Sequence, residues 1–258
     1  MTRNTTICWV VDAGLIPYEA ACELQRLLVE GRKAGSTPDL LLLCEHPHVI
    51  TLGRNGKREH LLAGNRLLAQ MNVELCPTDR GGDITYHGPG QVVGYPIVDL
   101  TEHRRDVRWY VEQLEETMIR ASADFGVHAS RVEGRHGIWV NSAAGEEKLA
   151  AIGVHLSRWV TSHGFAYNVS SDLRYFDLIV PCGISGRRAT SLERLLGRAV
   201  DAAEVRERLA LRFGEVFQLE IIRVPLDELK DAIGLARTRN ERGESMPMEA
   251  EVLKGSRA

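Results

Sequence analysis

The chain has little with which to hold a polyanion or enter a bilayer. Its 258 residues carry 32 Lys and Arg against 35 Asp and Glu, a formal net charge of −3. It therefore lacks the cation excess that a dedicated nucleic-acid or anionic-membrane surface needs. There is no run of about 18 consecutive apolar residues, so no membrane-spanning helix is expected. The apolar stretch Ile7–Val11 is too short for the hydrophobic region of an export signal and has no small-residue cleavage site behind it. Cysteines are few: Cys8, Cys22, Cys44, Cys76 and Cys182 are odd in number, widely scattered and without a Cys-x2-Cys pair. No disulfide framework is expected, and a reducing cytoplasm is the default location. Nor do the nine histidines include a His-x3-His pair, and Pro47 rules out a helical ligand pair in Glu45-His46-Pro47-His48. No metal site is expected.

What is present is the mixture of a globular enzyme-sized domain, 44% hydrophobic and 26% charged. Short apolar runs rich in β-branched residues predict strands at Ile7–Val11, Leu40–Cys44, Val49–Leu52, Val73–Leu75, Ile84–Tyr86, Val92–Val98, Val127–Val132, Ile138–Val140, Ala150–Leu156 and Phe165–Val169. Three- and four-residue apolar spacing predicts helices over Tyr18–Arg32, Val107–Phe125 and Ala202–Phe217, the second capped by Asp106 and stopped by Gly126. Several strands follow one another without an intervening helix, which argues against a purely parallel sheet. The expected fold is α/β of the α+β type, a mixed sheet with helices packed largely on one face. Residues 1–235 form the predicted catalytic domain. From Ala236 to the end at 258 the charged, aperiodic sequence predicts a flexible tail.

Three segments can carry chemistry. In Arg80-Gly81-Gly82-Asp83-Ile84-Thr85-Tyr86-His87-Gly88-Pro89-Gly90-Gln91, glycines allow a close backbone approach to a ligand, while Arg80, Thr85, Tyr86, His87 and Gln91 supply polar groups. On composition alone this segment is equally a tight hairpin. Cys182 lies in Val180-Pro181-Cys182-Gly183, apart from the apolar or helical runs that hold the other four cysteines. A loop thiol just before a helix start at Thr190-Ser191-Leu192-Glu193 suits a nucleophile, or simple packing. Lys148 opens the apolar strand Leu149-Ala150-Ala151-Ile152-Gly153, either as a solvated strand end or as a cation beside a thiolate. Gly153 and Gly164, the latter in His163-Gly164-Phe165-Ala166, could admit an acyl chain or mark bulges.

Taken in order, Arg80-Gly81-Gly82-x-x-Thr85-Tyr86-His87-Gly88-Pro89-Gly90-Gln91, Lys148-x-Ala150-Ala151-Ile152-Gly153, His163-Gly164-Phe165-Ala166-x-Asn168-Val169, Pro181-Cys182-Gly183-Ile184 and Thr190-Ser191-Leu192 closely resemble the lipoyl(octanoyl) transferase family. The resemblance implies a catalytic domain like that of biotin and lipoate protein ligases. It also implies transfer of octanoate from acyl carrier protein to a lysine of the lipoyl domains of 2-oxoacid dehydrogenase E2 subunits and of the glycine-cleavage carrier protein. Cys182 would carry the acyl thioester and Lys148 would lower its pKa. Arg80–His87 (Arg80, Gly81, Gly82, Asp83, Ile84, Thr85, Tyr86, His87), Ala151–Gly153 (with Ile152) and Gly164–Ala166 (with Phe165) would line the acyl site. No cofactor is implied beyond the phosphopantetheine of the carrier. Two rivals carry different expectations: an ATP-dependent lipoate or biotin ligase, and a non-catalytic acyl- or carrier-binding module.

Overall fold

In the computed structural model residues 6–142, 145–180 and 188–242 are described, with side chains as far as Gly234. In chain order the elements are β1 (Thr6–Leu15), α1 (Tyr18–Lys33), β2 (Asp39–Glu45), β3 (Val49–Leu52), α2 (Asn65–Gln70), β4 (Glu74–Pro77), β5 (Ile84–His87), β6 (Gln91–Ile97) and α3 (Val107–Asp124). They continue with β7 (Ser130–Val132), β8 (Arg135–Ser142), β9 (Gly145–Ser157), β10 (Val160–Asn168), β11 (Arg188–Ala189), α4 (Leu192–Leu196), α5 (Ala202–Phe217), β12 (Leu219–Arg223) and α6 (Leu226–Arg242).

Among the described residues, nine strands make one mixed sheet in the order β12-β1-β2-β6-β10-β9-β8-β7, with β11 on β9. The β12, β1 and β2 strands are parallel, and the ladder from β2 through β6, β10, β9, β8 and β7 is antiparallel. The mixed sheet is the one expected; the layering differs. In β2 the run Leu40–Cys44 does not alternate, because both of its faces are covered. Leu41 and Leu43 pack with α3 and α5, while Leu40, Leu42 and Cys44 pack with α1 and α6. Helices therefore cover both faces of this half of the sheet.

A second, three-stranded sheet, β4-β3-β5, has a small core of its own built on Ile50, Leu68, Ile84, Tyr86, Leu178 and Ile179. The Asp106 carboxylate caps α3 by accepting from the Trp109 amide at 3.0 Å, and Gly126 beyond its end has φ +78°. The α6 helix crosses the boundary drawn at residue 235. Leu229 and Ile233 anchor it in the α1-side core. Its charged continuation to Arg242 is helix rather than tail, and residues 243–258 lie outside the described set.

Between β8 and β9 the register shifts. Ile138 faces Ala150, but the next residue, Trp139, faces Lys148, so Leu149 is one residue too many. This bulge turns both Leu149 and Ala150 into the core shared with α3 and α5. Lys148 and Ala151, three residues apart, consequently share the opposite face, which strict alternation forbids. Gly137 makes the bulge possible. It has φ +99°, a Cβ there would stand 2.3 Å from the Ala150 oxygen, and its amide donates to Glu115 Oε1 at 3.0 Å.

Gly137→Ala should accordingly cost about 2 kcal/mol or more of stability, from left-handed strain plus the collision. Gly134→Ala, at φ +73° with nothing within 4 Å, should suffer the strain alone, about 1 kcal/mol. Urea unfolding of the two variants checks this, and equal losses would show that the close approach is not restrictive.

Candidate functional site

A cavity of about 920 Å³ lies between the two sheets, near the upper end of the range of ligand pockets. Its floor is the face of the large sheet that α1 and α6 leave uncovered. There Ala166 stands between Val93 and Ala151, and Gly164 faces Gly153. Small side chains in adjacent rows create the space. A Cβ on Gly164 would fall 2.2 Å from the Gly94 oxygen, and the preceding His163 has φ +54°, so the strand bends here with no room for a larger residue.

The roof comes from β5 and the loop before it. Arg80, buried, donates to the Thr51 carbonyl at 2.8 Å, the Thr51 hydroxyl at 2.8 and 3.1 Å, the Asp83 carbonyl at 2.8 Å and the Gly81 carbonyl at 3.0 Å. Its guanidinium folds the loop. The Gly81 amide donates to the Val154 carbonyl at 2.9 Å, and a Cβ on Gly153 would meet the Gly81 oxygen at 2.8 Å. Roof and floor thus touch backbone to backbone. Asp83 accepts from the Lys57 amide at 3.2 Å and pairs with His60 Nδ1 at 2.5 Å.

Arg80, Gly82, Asp83, Ile84, Thr85 and His87 line the cavity; Gly81 and Tyr86 do not. Tyr86 stacks on Tyr175 at 4.9 Å and its hydroxyl meets His48 Nδ1 at 2.8 Å, inside the small core. Strand alternation separates Thr85 and His87 on one face of β5 from Tyr86 on the other, while Ile84, on Tyr86's face at the start of the strand, borders both the small core and the cavity. On the floor, Ala151, Ile152, Gly153, Gly164, Phe165 and Ala166 all border the cavity. The Phe165 ring itself lies over Gly94, on the side of the α3 and α5 core.

A buried polar chain runs through the site. His46 Nδ1 donates to the Ile16 carbonyl at 2.7 Å, leaving Nε2 to accept from the Tyr95 hydroxyl at 2.7 Å. His87 Nδ1 donates to Gln91 Oε1 at 2.7 Å, Gln91 to Asn168 Oδ1 at 2.9 Å and Asn168 to the Thr190 carbonyl at 3.0 Å. The Thr190 amide closes onto the Lys148 carbonyl at 2.9 Å. Burial lowers the pKa of His46 and of His163, and lowers that of His87 well below its ordinary value, helped by repulsion from His46 and Arg80. A pKa so far down leaves His87 neutral at pH 7. His163 also faces the Asp79 carboxylate at 2.7 Å.

Lys148 reaches the cavity with its ammonium 4.7 Å from the centre of the Trp139 ring, over which the Arg135 guanidinium also lies at 5.5 Å. Trp139 was not singled out from the sequence; only its pairing with Lys148 across the bulge reveals it. Cys182 lies outside the described residues. Val180 before it and Arg188 and Ala189 after it line the cavity. The Val180 amide donates to the His60 carbonyl at 2.8 Å, and Ala189 pairs with Lys148. Burial raises the pKa of all four other thiols: Cys8, Cys22 to about 12, Cys44 and Cys76.

Residues 17–214 match the lipoyl protein ligase A/B catalytic domain family. The octanoyltransferase of Solibacter usitatus is 52% identical over 215 residues, covering 83% of this chain and 95% of its own. That of Chloroflexus aurantiacus is 50% identical over 208 residues, covering 80% and 92%. The bi-partite lipoate protein ligase of Thermoplasma acidophilum shares the fold at a TM-score of 0.70 and 15% identity, over 92% of this chain and 93% of that one. Lipoate-protein ligase A bound with ATP does so at 0.67 and 15%, over 92% and 95%.

Neutral His87 sets a pH dependence. Below about 6.5 an unfolded histidine takes a proton that buried His87 refuses, so the unfolded state binds more protons. Stability should fall as the pH drops below about 6.5 and level off above it. His87→Gln should flatten that slope by about one proton's worth, roughly 1.4 kcal/mol per pH unit. Urea unfolding between pH 5 and 8 checks this, and an unchanged slope would place the titration elsewhere.

Proposed function

The chain belongs to the lipoyl protein ligase A/B catalytic-domain family, with octanoyltransferases among its relatives, and from that premise we propose that it transfers an octanoyl group from acyl carrier protein to a lipoyl-domain lysine through a Cys182 thioester. The observation that carries this reading is the position of Lys148. Its ammonium stands in the cavity, and the chain segments on either side of Cys182 line the same cavity. The four other thiols, all made less acidic by burial, support the choice of Cys182 by their own unsuitability.

A free thiol of pKa about 8.5 is only about 3% thiolate at pH 7. A hundredfold gain in thiolate requires about 2.7 kcal/mol. One ammonium at ~4 Å supplies on the order of 4 kcal/mol at an effective dielectric near 20, so Lys148 suffices. The Cys182 thiolate attacks the carrier thioester carbonyl. The carbon–sulfur bond to the pantetheine arm breaks, and its thiolate takes a proton from the Lys148 ammonium or from water and leaves as the thiol. The acceptor lysine, as free amine, then attacks the acyl-enzyme, an amide forms and the Cys182 thiolate returns. The proton shed by the attacking amine passes to Lys148, where the first step left it neutral, or to water. The small residues of the floor, Ala151, Gly153, Gly164 and Ala166, accept the acyl chain. A thioester is already activated, so the reaction needs neither nucleotide nor metal. The Thermoplasma ligase was solved as part of a system with an E2 lipoyl domain, which supports a lipoyl domain as acceptor.

Octanoyl carrier protein should add one octanoyl mass to the wild type and none to Cys182→Ala, with transfer to a lipoyl domain surviving apyrase and EDTA. An adduct on Cys8, Cys22, Cys44 or Cys76 would sink the assignment, and loss of transfer on nucleotide removal would favour a ligase.

Lys148 has two separable duties. Lys148→Ala should slow both half-reactions and move the pH profile of Cys182 alkylation upward. Arginine keeps the charge but releases no proton at working pH, so Lys148→Arg should slow transfer to the lipoyl domain more than acylation. Single-turnover rates for each half decide it; equal slowing with a normal alkylation profile would leave Lys148 purely electrostatic.

A further inference from the structure

Beside the cavity lies a shallower depression of about 560 Å³ whose wall includes Arg174, Arg194 and Arg198 together with the hydroxyl-bearing Ser170, Ser171 and Ser191. Leu173, Arg174 and Arg194 line both spaces, so the two are continuous. Arg135 and the exposed Arg188 add cations on the cavity side. In a chain of net charge −3 this concentration of arginine is local. It occurs where field lines from a concave mouth are focused.

Carboxylates are present as well. Asp172 holds Arg174 at 2.6 Å, Glu147 holds Arg194 at 3.2 Å, and Glu193 also borders the depression. A guanidinium has five N–H donors, so these pairings orient Arg174 and Arg194 and leave donors over. Both side chains stay accessible, at 87% and 46% of full exposure. Arg198 donates to the Ala199 carbonyl at 3.2 Å, again one use among five.

We propose that this depression seats the phosphodiester of the donor's phosphopantetheine arm, the uncharged remainder passing Leu173 into the cavity toward Lys148. The proposal rests on the reading of the donor as a carrier-protein thioester. Its chemistry is that of a permanent anion on a flexible tether meeting forked donors, the arrangement in which arginine outperforms lysine. It also gives a use to a cavity larger than an eight-carbon chain alone requires. The phosphate would be held at the mouth, outside the reacting centre, so it would add affinity for the donor without disturbing the Cys182–Lys148 pair.

The test is equilibrium binding to the full chain, by calorimetry, of 4′-phosphopantetheine and of pantetheine, which differ by the phosphate. The phosphorylated probe should bind at least tenfold more tightly, with the advantage shrinking as salt is raised. Arg174→Gln and Arg198→Gln should each cut that advantage to threefold or less. Equal affinity of the two probes, failure of both to bind, or an advantage untouched in both variants overturns the proposal. So does a loss of carrier-protein binding with the small-probe ratio intact, which would assign these arginines to the carrier's acidic surface. Failure of the transfer reading looks different: octanoyl-phosphopantetheine would then leave no adduct on Cys182 while the binding ratio stood.

Discussion

One surplus residue in a β-ladder decides what this cavity can do. Without the bulge at Leu149, Lys148 and Ala151 would point to opposite faces of β9, and either the ammonium or the small-residue floor would be lost to the core. The bulge rests on backbone geometry rather than on a strong contact. Gly137 supplies a conformation closed to other residues, and the Glu115 carboxylate in α3 accepts its amide. Burial of Glu115 raises its pKa, so the brace is itself a desolvated group that must be hydrogen-bonded to be tolerated. The Trp139 ring then gives the ammonium a seat worth about 0.5–2 kcal/mol by cation–π attraction.

The roof obeys a complementary rule. The buried cation Arg80 donates to the Thr51 carbonyl and hydroxyl on β3 and to the Gly81 and Asp83 carbonyls of its own loop, and burial disfavours the charged forms of His46, His87 and His163. Polar groups are therefore abundant around the cavity, yet the roof adds little free charge to compete with Lys148. The Gln91–Asn168–Thr190 relay ties His87 on β5 to the β11 segment beside Lys148. Roof and floor are held together by the Arg80 guanidinium, by amide side chains and by close glycine contacts.

Much of this architecture was legible in the sequence where one physical signal dominates. The strand Val49–Leu52, the Asp106 cap and the helix Ala202–Phe217 were read from a β-branched apolar run, capping chemistry and 3.6-residue periodicity. Where two signals compete, reading failed. Tyr86 sits in a polar, glycine-rich motif but belongs to the hydrophobic face of its strand, and period two, not motif membership, separates it from Thr85 and His87. The β9–β10 hairpin turns on Arg158 and Trp159, both with positive φ, where sequence rules look for Asn or Gly. The bulge leaves no compositional trace, since Leu149 is an ordinary apolar residue. Helix α6 was not expected from the sequence, because its two buried anchors, Leu229 and Ile233, are few among charged residues. The expectation of helices on one face missed what the unbroken apolar run of β2 implies.

The segment that contains Cys182 is tethered at its two ends to different bodies. On one side, Val180 and Ile179 are bonded to His60 and Leu61, against the core of the small sheet. On the other, Arg188 and Ala189 run alongside Glu147 and Lys148 in the large one. The two flanks of this segment therefore move with different sheets, so a change in the separation of the sheets is felt as a change in the distance between Val180 and Arg188.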